Sequence, residues 1–157
     1  MSVKTLEQQR ALYALHCIKE FKKLEKYGVK KKEYKSEARK LPSMIMQNGL
    51  ITTLTFLKSK AKAGIKKDKG KEKEEINDEA LILYQLVRYL KDEKIPEREA
   101  DFSDVMKALN DKDGTYRKYL EKLLSESDFT QYRLETAKAL RIAQWIKRIA
   151  EGEIEDE

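Results

Sequence analysis

Positively charged side chains concentrate in three stretches of this 157-residue chain, and groups of that kind bind polyanions. Nine Lys or Arg residues accompany three acids in 22–40, eight lysines accompany two acids in 58–73, and four cations without an acid lie in 138–148. Ammonium and guanidinium groups neutralise phosphates without reading a base sequence. The formal net charge of +6 also suits an acidic partner. Charge runs are commonly just solvated, so composition alone leaves both interpretations open.

Metal chemistry has little support in the sequence. His16 and Cys17 are the only histidine and cysteine, and neighbours on a helix point about 100° apart, too far to share a metal. The NDKDG segment resembles a calcium-binding loop. However, taking Gly114 as the loop glycine places Leu109 first and Leu120 twelfth, where that loop needs acids. We therefore expect no metal and no cofactor.

The sequence gives equally little support to catalysis. No glycine-rich phosphate loop is present, and no motif places the single histidine against a hydroxyl group. Asp101 and Asp104 could hold magnesium, which keeps a small metal-dependent nuclease as a minor hypothesis. With 28 acids in the chain, capping or surface roles are more typical. We expect a protein that is not an enzyme.

The number of cysteines and the length of the apolar runs indicate in which compartment the protein lies and whether it spans a membrane. One cysteine excludes an intrachain disulfide and is typical of a reducing cytosol. No apolar run approaches the roughly 18 to 20 residues of a membrane span, and the amphipathic N-terminus lacks the pattern of a signal peptide. The sequence predicts a soluble, cytoplasmic protein without a membrane partner or a small-molecule substrate.

The first half of the chain is patterned for helices that would carry these cations. Thr5 and Gln8 form a capping box before a first helix that Gly28 ends. A second helix is predicted from near Glu33 to about Gln47, kinked or split at Pro42. The Asn-Gly step then breaks the chain before a third helix over 50–62, whose apolar positions Leu50, Leu54, Leu57 and Ala61 define a buried face.

The second half continues in the same way. Residues 64–75 lack periodicity and are predicted to form a flexible basic loop. Asn77 or Asp78 is expected to cap a fourth helix, followed by helical segments near 102–109, 116–124 and 129–150 and a mobile acidic tail over 151–157. Because no segment alternates with period two, we expect no sheet. The predicted fold is all-α, a compact bundle of about six helices forming a single domain over residues 1–157.

Four aromatic side chains could in principle stack on bases. They are Tyr13, Tyr84, Tyr89 and Trp145, and stacking of this kind occurs in single-strand binders. All four lie within helical apolar patterns, so core packing is the favoured interpretation.

Three sequence blocks resemble a known family. They are TLEQQRALYALHCIKEF (5–21), ARKLPSMIMQNGLITTLTFLKSKA (38–61) and ETAKALRIAQWIKRIAEG (135–152). Together they resemble the small helical subunit of type III-B CRISPR effector complexes, the Cmr module. The second block, with its LP, NGL and FLxxKA elements, is the most specific, and residues 64–125 show little likeness.

This resemblance implies a non-catalytic helical bundle acting in antiviral defence. Copies of such a subunit stack as a filament beside the backbone subunits that hold the crRNA, and they line the path of the target RNA. The expected partners are therefore other Cmr subunits, further copies of the chain, crRNA and target RNA. The cations inside the matched blocks are the predicted RNA-binding residues: Arg39, Lys58, Lys60, Arg141, Lys147 and Arg148.

Other residues of the second block are better explained as fold determinants. Pro42 and Gly49 would set backbone angles, and the apolar members would fill the bundle; the set comprises Leu41, Pro42, Ile45, Asn48, Gly49, Leu50 and Phe56. Arg39 has an alternative role, since it could pair with Glu37 or with another helix. The alternative for the whole protein is a purely architectural subunit whose basic patches bind acidic protein neighbours.

Overall fold

Seven α-helices, one short 3-10 helix and one two-stranded sheet make up residues 4–155, the part of the chain that this computed structural model describes. About 72% of these described residues are helical. The elements are, in order, α1 (Leu6–Leu24), the 3-10 helix (Glu25–Tyr27), α2 (Lys31–Asn48), α3 (Leu50–Lys60), β1 (Ala63–Asp68), β2 (Lys71–Ile76), α4 (Asp78–Asp92), α5 (Phe102–Ala108), α6 (Thr115–Ser125) and α7 (Phe129–Glu153).

The predicted start and end of the first helix are confirmed. The Thr5 hydroxyl accepts from the Gln8 amide at 3.1 Å, and the Gln8 side chain accepts from the Thr5 amide at 2.8 Å. The chain then tightens into the 3-10 helix, and Gly28 ends it with a left-handed φ of 106°. A residue with a Cβ would be strained there, so glycine suits the position.

Pro42 does not split the second helix, contrary to one of the two predicted outcomes. α2 runs from Lys31 to Asn48 with the proline inside it. Pro42 is buried together with Leu41 and Ile45, and α7 is the main packing partner of α2. We attribute the unbroken helix to this burial, which offsets the missing backbone hydrogen bond.

The core lies between α7, which packs along α1 and α2, and α4, which contacts α2, α3, α6 and α7. The predicted face of the third helix is confirmed at Leu50, Leu54 and Leu57, each fully buried. Phe56 was wrongly assigned to the bundle interior, since it is 45% exposed. It lies one position before Leu57, which turns it about 100° away from the buried face.

One polar cluster crosses the core between α1, α2 and α4. The Gln85 side chain donates to the Cys17 carbonyl and to Glu20 Oε1, each at 3.0 Å, and its own Oε1 accepts from the Tyr34 hydroxyl at 2.6 Å. Arg88 completes the cluster through an ion pair with Glu20. Because the polar atoms of Gln85 have partners, burying its side chain fixes the relative placement of three helices.

The all-α prediction is wrong for residues 64–75, which form most of a β-hairpin rather than a loop. β1 and β2 pair antiparallel, with Asp68 opposite Lys71, and the two connecting residues Lys69 and Gly70 have φ values of 52° and 79°. Positive φ at both central residues is the turn geometry that matches the twist of a hairpin. Backbone pairing therefore orders this segment without an alternating apolar pattern.

The start of the predicted acidic tail belongs to the bundle. α7 continues to Glu153, and the next residue, Ile154, is only 4% exposed. The carbonyl of Ile154 accepts a hydrogen bond from Lys35 Nζ at 2.9 Å. Residues 151–154 are therefore held by packing and hydrogen bonding, while residues 156–157 of the predicted tail lie outside the described residues.

Candidate nucleic-acid interface

The exposed side of α7 is the best-formed cationic surface among the predicted positions. An Asp128–Gln131 capping box begins this helix. Arg141, Gln144 and Arg148 are exposed and spaced three and four residues apart, so they share one face. Lys147 is half-buried beside them.

The Arg148 side chain is positioned by an aromatic neighbour. Its guanidinium carbon lies 4.7 Å from the centre of the Trp145 ring, a distance at which the ring face attracts a cation. Trp145 is itself half-buried against the core. This packing leaves the polar edge of Arg148 available on the exposed face of the helix.

The predicted cations fall into two groups. Arg39 on α2 lies 3.4 Å from Glu151 on α7, one helical turn beyond Arg148. This contact joins Arg39 to the α7 cations. Lys58 and Lys60 lie instead at the C-terminal end of α3, next to the hairpin. The alternative suggestion that Arg39 pairs with another helix is confirmed.

Two of the six predicted cations are already paired. Arg39 pairs with Glu151, and Lys58 Nζ lies 2.8 Å from Asp111 Oδ1, with the Tyr116 ring centre 5.8 Å away. The Lys58 ammonium holds the pKa of Asp111 below its usual value through a hydrogen bond and its charge. Within residues 4–155, the other four cations have no carboxylate oxygen within 4.0 Å: Lys60, Arg141, Lys147 and Arg148.

Sequence reasoning counted the hairpin lysines as part of a cationic stretch but missed their ordered arrangement, because residues 64–75 looked structureless. Both strands are mostly exposed, and their lysines point to solvent on two distinct faces. The one available signal was Gly70, which marks a two-residue turn between two charged runs. The side chain of Asn77 fastens the hairpin base: it accepts from the Lys62 amide at 2.9 Å and donates to the Lys60 carbonyl at 2.8 Å.

Asp101 and Asp104 are occupied as helix caps. Each side chain accepts from the other's backbone amide, at 3.0 Å in both directions. Arg98 binds Asp104 with two hydrogen bonds, at 2.7 and 3.2 Å. The Arg98 hydrogen bond, opposed by partial burial, lowers the pKa of Asp104 to about 2. These contacts give both acids the capping role favoured by the sequence.

Three other acids gather where α2 meets the start of α4. One carboxylate oxygen from each of Glu37, Asp78 and Glu79 lies within 4.8 Å of the others. Burial, then a hydrogen bond to Glu79 and the Glu79 charge, raises the pKa of Asp78 to about 8. The cluster thus favours a proton on Asp78, and no sequence signal linked Glu37 to residues forty positions later.

His16 and Cys17 take part in the core rather than in a reactive pair. His16 Nε2 lies 3.6 Å from Glu20 Oε2, and Cys17 is fully buried. Burial raises the pKa of the Cys17 thiol well above its usual value. A buried thiol of this kind is a poor nucleophile.

The aromatic residues are mainly part of the core, as predicted. Tyr13 and Tyr89 are buried and meet edge to face, with ring centres 4.9 Å apart. Tyr84 and Trp145 are half-buried, and each has an arginine over its ring, at 4.8 and 4.7 Å respectively. The rings of Tyr13 and Tyr89 are therefore not accessible for stacking on a base in this fold.

Three large apolar side chains near the α6–α7 junction are exposed. Phe129 is 74% exposed, and Leu124 and Leu134 are each 59% exposed. Contiguous exposed apolar patches are typical of protein contacts, and these side chains are candidates for such a patch. In the described part of the chain, no helix is long and apolar enough to cross a membrane.

The fold and these surfaces define a basic helical bundle with a small hairpin and, among the described residues, with unpaired cations on the exposed face of α7. A family model described as CRISPR-associated protein (Cas_Cmr5) matches residues 6–153. The chain therefore belongs to the Cmr5 family, which confirms the resemblance drawn from the three sequence blocks.

A curated relative agrees with this assignment. The protein described as CRISPR system Cmr subunit Cmr5 from Thermotoga maritima is 34% identical over 87 residues. The matched region is 55% of this chain and covers 64% of the length of that relative.

Proposed function

We propose that this chain is a non-catalytic small subunit of an RNA-guided Cmr effector complex in the cytoplasm, acting in antiviral defence. It stacks with further copies of itself, contacts other Cmr subunits, and touches the backbones of crRNA and target RNA through basic residues. The family match over residues 6–153, together with a relative described as a Cmr subunit, supports the assembly role. The unpaired cations of α7 support the RNA contact.

The RNA contact is best supported at Arg141, Lys147 and Arg148. These residues have no carboxylate partner among the described residues and share or adjoin one exposed helical face. Lys60 is also unpaired, whereas Arg39 and Lys58 would each have to exchange an existing acid for a phosphate. We therefore rank the α7 cations first and the two paired cations last.

A backbone contact also fits the division of labour that the proposal requires. Base pairing with crRNA supplies sequence selection, so this subunit needs only charge to follow a strand. Flexible cations on a helix face provide that charge without a shaped pocket for a base. Binding by the isolated chain is then weak, independent of sequence and strongly dependent on salt.

The test reverses the charges of Lys147 and Arg148 together, as Lys147→Glu with Arg148→Glu, and titrates a single-stranded RNA at several salt concentrations. The variant loses affinity, and its slope of log affinity against log salt becomes shallower by about 1.4, since each single-strand phosphate contact contributes about 0.7. Lys118→Glu with Lys122→Glu on exposed α6 is the control of equal charge change. Unchanged affinity and slope in the α7 variant would remove those two positions from the interface.

A purely architectural subunit is the second candidate, favoured by the exposed side chains of Leu124, Phe129 and Leu134. In that role the cations meet acidic patches on neighbouring subunits. Crosslinking within an assembled complex separates the two functions. RNA adducts on α7 support the first, and adducts to protein alone support the second.

A further inference from the structure

The two faces of the β-hairpin carry opposite charge. Residues directly opposite in an antiparallel pair point to the same side, and successive residues alternate sides. The pairing register therefore assigns one set to what we call the lysine face: Gly64, Lys66, Asp68, Lys71, Lys73 and Glu75. The other set forms the acidic face: Ala63, Ile65, Lys67, Glu72, Glu74 and Ile76. The lysine face has three lysines and two acids, whereas the acidic face has one lysine and two acids.

The central rung of the lysine face is a pair of like charges. Lys66 lies directly opposite Lys73, an arrangement that opposes strand pairing unless something neutralises it. Each face also has one rung of opposite charges, Asp68 with Lys71 on the lysine face and Lys67 with Glu72 on the acidic face. The register thus leaves the unbalanced positive charge on one side of the hairpin.

Apart from Asp68 opposite Lys71, the lysines of this face have no acid partner among the described residues. All are exposed, and no carboxylate oxygen of residues 4–155 lies within 4.0 Å of the ammonium groups of Lys66, Lys71 or Lys73. By contrast, Lys58 and Arg39, both on helices, do have acid partners. The lysine face therefore combines like-charge repulsion with full access to solvent.

We infer that the lysine face of the hairpin binds the phosphate backbone of RNA, as a site separate from the α7 cations. This inference rests on the proposed function, because it takes RNA as the ligand. Bound phosphates would neutralise the Lys66–Lys73 rung and attract Lys71, which lies two residues from Lys73 at about 7 Å along the strand. That spacing is about twice the ~3.4 Å axial rise per phosphate of a stacked strand.

The hairpin base also joins this face to a predicted RNA-binding residue. Asn77 bonds the backbones of Lys60 and Lys62 at the point where both strands leave the bundle. Lys60 is unpaired and exposed, so unbalanced positive charge runs from the end of α3 onto the lysine face. The acidic face, with Glu72 and Glu74, repels the phosphates of an RNA strand. RNA should therefore bind the lysine face rather than the acidic face.

The test uses the full chain and a fluorescent oligouridylate of about 15 nucleotides, a length suited to one small domain. Lys66→Gln with Lys73→Gln removes the central rung. Lys67→Gln with Lys69→Gln is the matched control, since it makes the same charge change within the same hairpin. Circular dichroism checks that each variant keeps the helical fold, and removing the like-charge pair favours strand pairing rather than opposing it.

The rung variant binds roughly tenfold or more weakly at low salt, and its salt slope becomes shallower by about 1.4. The control variant changes far less in both quantities. Equal losses in the two variants would overturn the assignment to one face. If the rung variant binds normally while the Lys147 and Arg148 reversal weakens binding, the hairpin inference fails and the proposed function stands.

Two further outcomes separate the remaining cases. If the unmodified chain does not bind the RNA even at low salt, the hairpin site is overturned and the proposed RNA contact of the subunit also loses its support. Crosslinks in the assembled complex that join the hairpin lysines to a protein neighbour and never to RNA overturn the choice of ligand. RNA crosslinks on peptides that contain Lys66 or Lys73 support it.

Discussion

Glu20 on α1 and Arg88 on α4 form a two-point ion pair inside the bundle, with Oε2–Nη1 at 2.8 Å and Oε1–Nη2 at 3.1 Å. The Glu20 side chain is fully buried and that of Arg88 is 11% exposed. Glu20 also accepts from Gln85 and from the Ala100 amide, at 3.0 and 2.7 Å. A buried ion pair is tolerated when its remaining polar atoms are bonded in this way.

Glu20→Gln should lower the free energy of unfolding by about 3–5 kcal/mol, because it leaves the Arg88 charge buried without a counter-charge. Urea denaturation measures the loss. Glu121→Gln is the control, since Glu121 pairs with Arg117 on the exposed surface of α6. That variant should change stability by less than about 1 kcal/mol. Similar small effects for both variants would contradict the role given to the buried pair.

The same carboxylate predicts a loss of stability in acid. Burial alone opposes ionisation of Glu20, but the His16 imidazole, whose Nε2 lies 3.6 Å from Glu20 Oε2, and the hydrogen bonds and charge of Arg88 together lower its pKa from 4.5 to about 2. Its contribution is therefore complete above pH 4.5 and is lost as the pH falls toward 2. Denaturation midpoints across this window should fall more steeply for the unmodified chain than for Glu20→Gln. Parallel curves would argue against the Glu20 carboxylate as the titrating group.

Asp78 predicts a dependence of the opposite sign at higher pH. Its pKa is raised from 3.8 to about 8, so the folded chain keeps a proton that the unfolded chain releases. Stability should decline as the pH rises from about 4 to about 8, and Asp78→Asn should flatten that decline. Some slope remains, since burial also raises the pKa of Glu37. Thermal unfolding measured across this range is the readout, with Asp92→Asn at an exposed position as the control.

Gly49 predicts a backbone effect at the α2–α3 junction. Its φ is 85°, and a Cβ placed there would lie 3.1 Å from the Tyr132 hydroxyl oxygen. Gly49→Ala should therefore destabilise the protein by about 1–3 kcal/mol. Gly152→Ala is the control, because a Cβ there meets nothing within 4 Å and the residue is helical, so alanine should be neutral or slightly stabilising.

The Tyr132 hydroxyl links the two parts of that junction. It accepts a hydrogen bond from the Ile51 amide at 3.1 Å, so Tyr132→Phe alone should cost about 1 kcal/mol. In the double variant with Gly49→Ala, removal of the hydroxyl relieves the steric contact. The double variant should therefore lose less stability than the sum of the losses in the two single variants. Strict additivity in chemical denaturation would show that the contact is unimportant.

Helices with clear local signals were predictable from the sequence, and contacts between distant segments were not. The Thr5 capping box, the Asn77 cap and the buried leucine face of α3 are local patterns, and the structure confirms all three. The hairpin escaped because its strands are ordered by backbone pairing and a two-residue turn, while both faces are charged. The Glu37–Asp78–Glu79 cluster escaped because it depends on how α2 meets α4.

The candidate interface divides in the same way. Sequence reasoning identified the cations, and the unpaired state of Arg141, Lys147 and Arg148 keeps them as candidates. It raised a partner on another helix as an alternative for Arg39 without identifying Glu151, and it did not anticipate the Lys58–Asp111 pair, because those pairings depend on helix packing. The residue roles toward RNA stay predictions.

The Asn77 side chain, the backbone hydrogen bond from Asn77 to Lys62 and the buried Ile76 fasten the hairpin base, and the strands are mostly exposed toward the turn. The hairpin is thus an exchangeable module. Its tip can be shortened or lengthened, and its charged residues can be replaced, without redesign of the helices. Replacing the segment between residues 63 and 76 with the corresponding segment of another family member would transfer that segment's binding properties to an unchanged helical bundle.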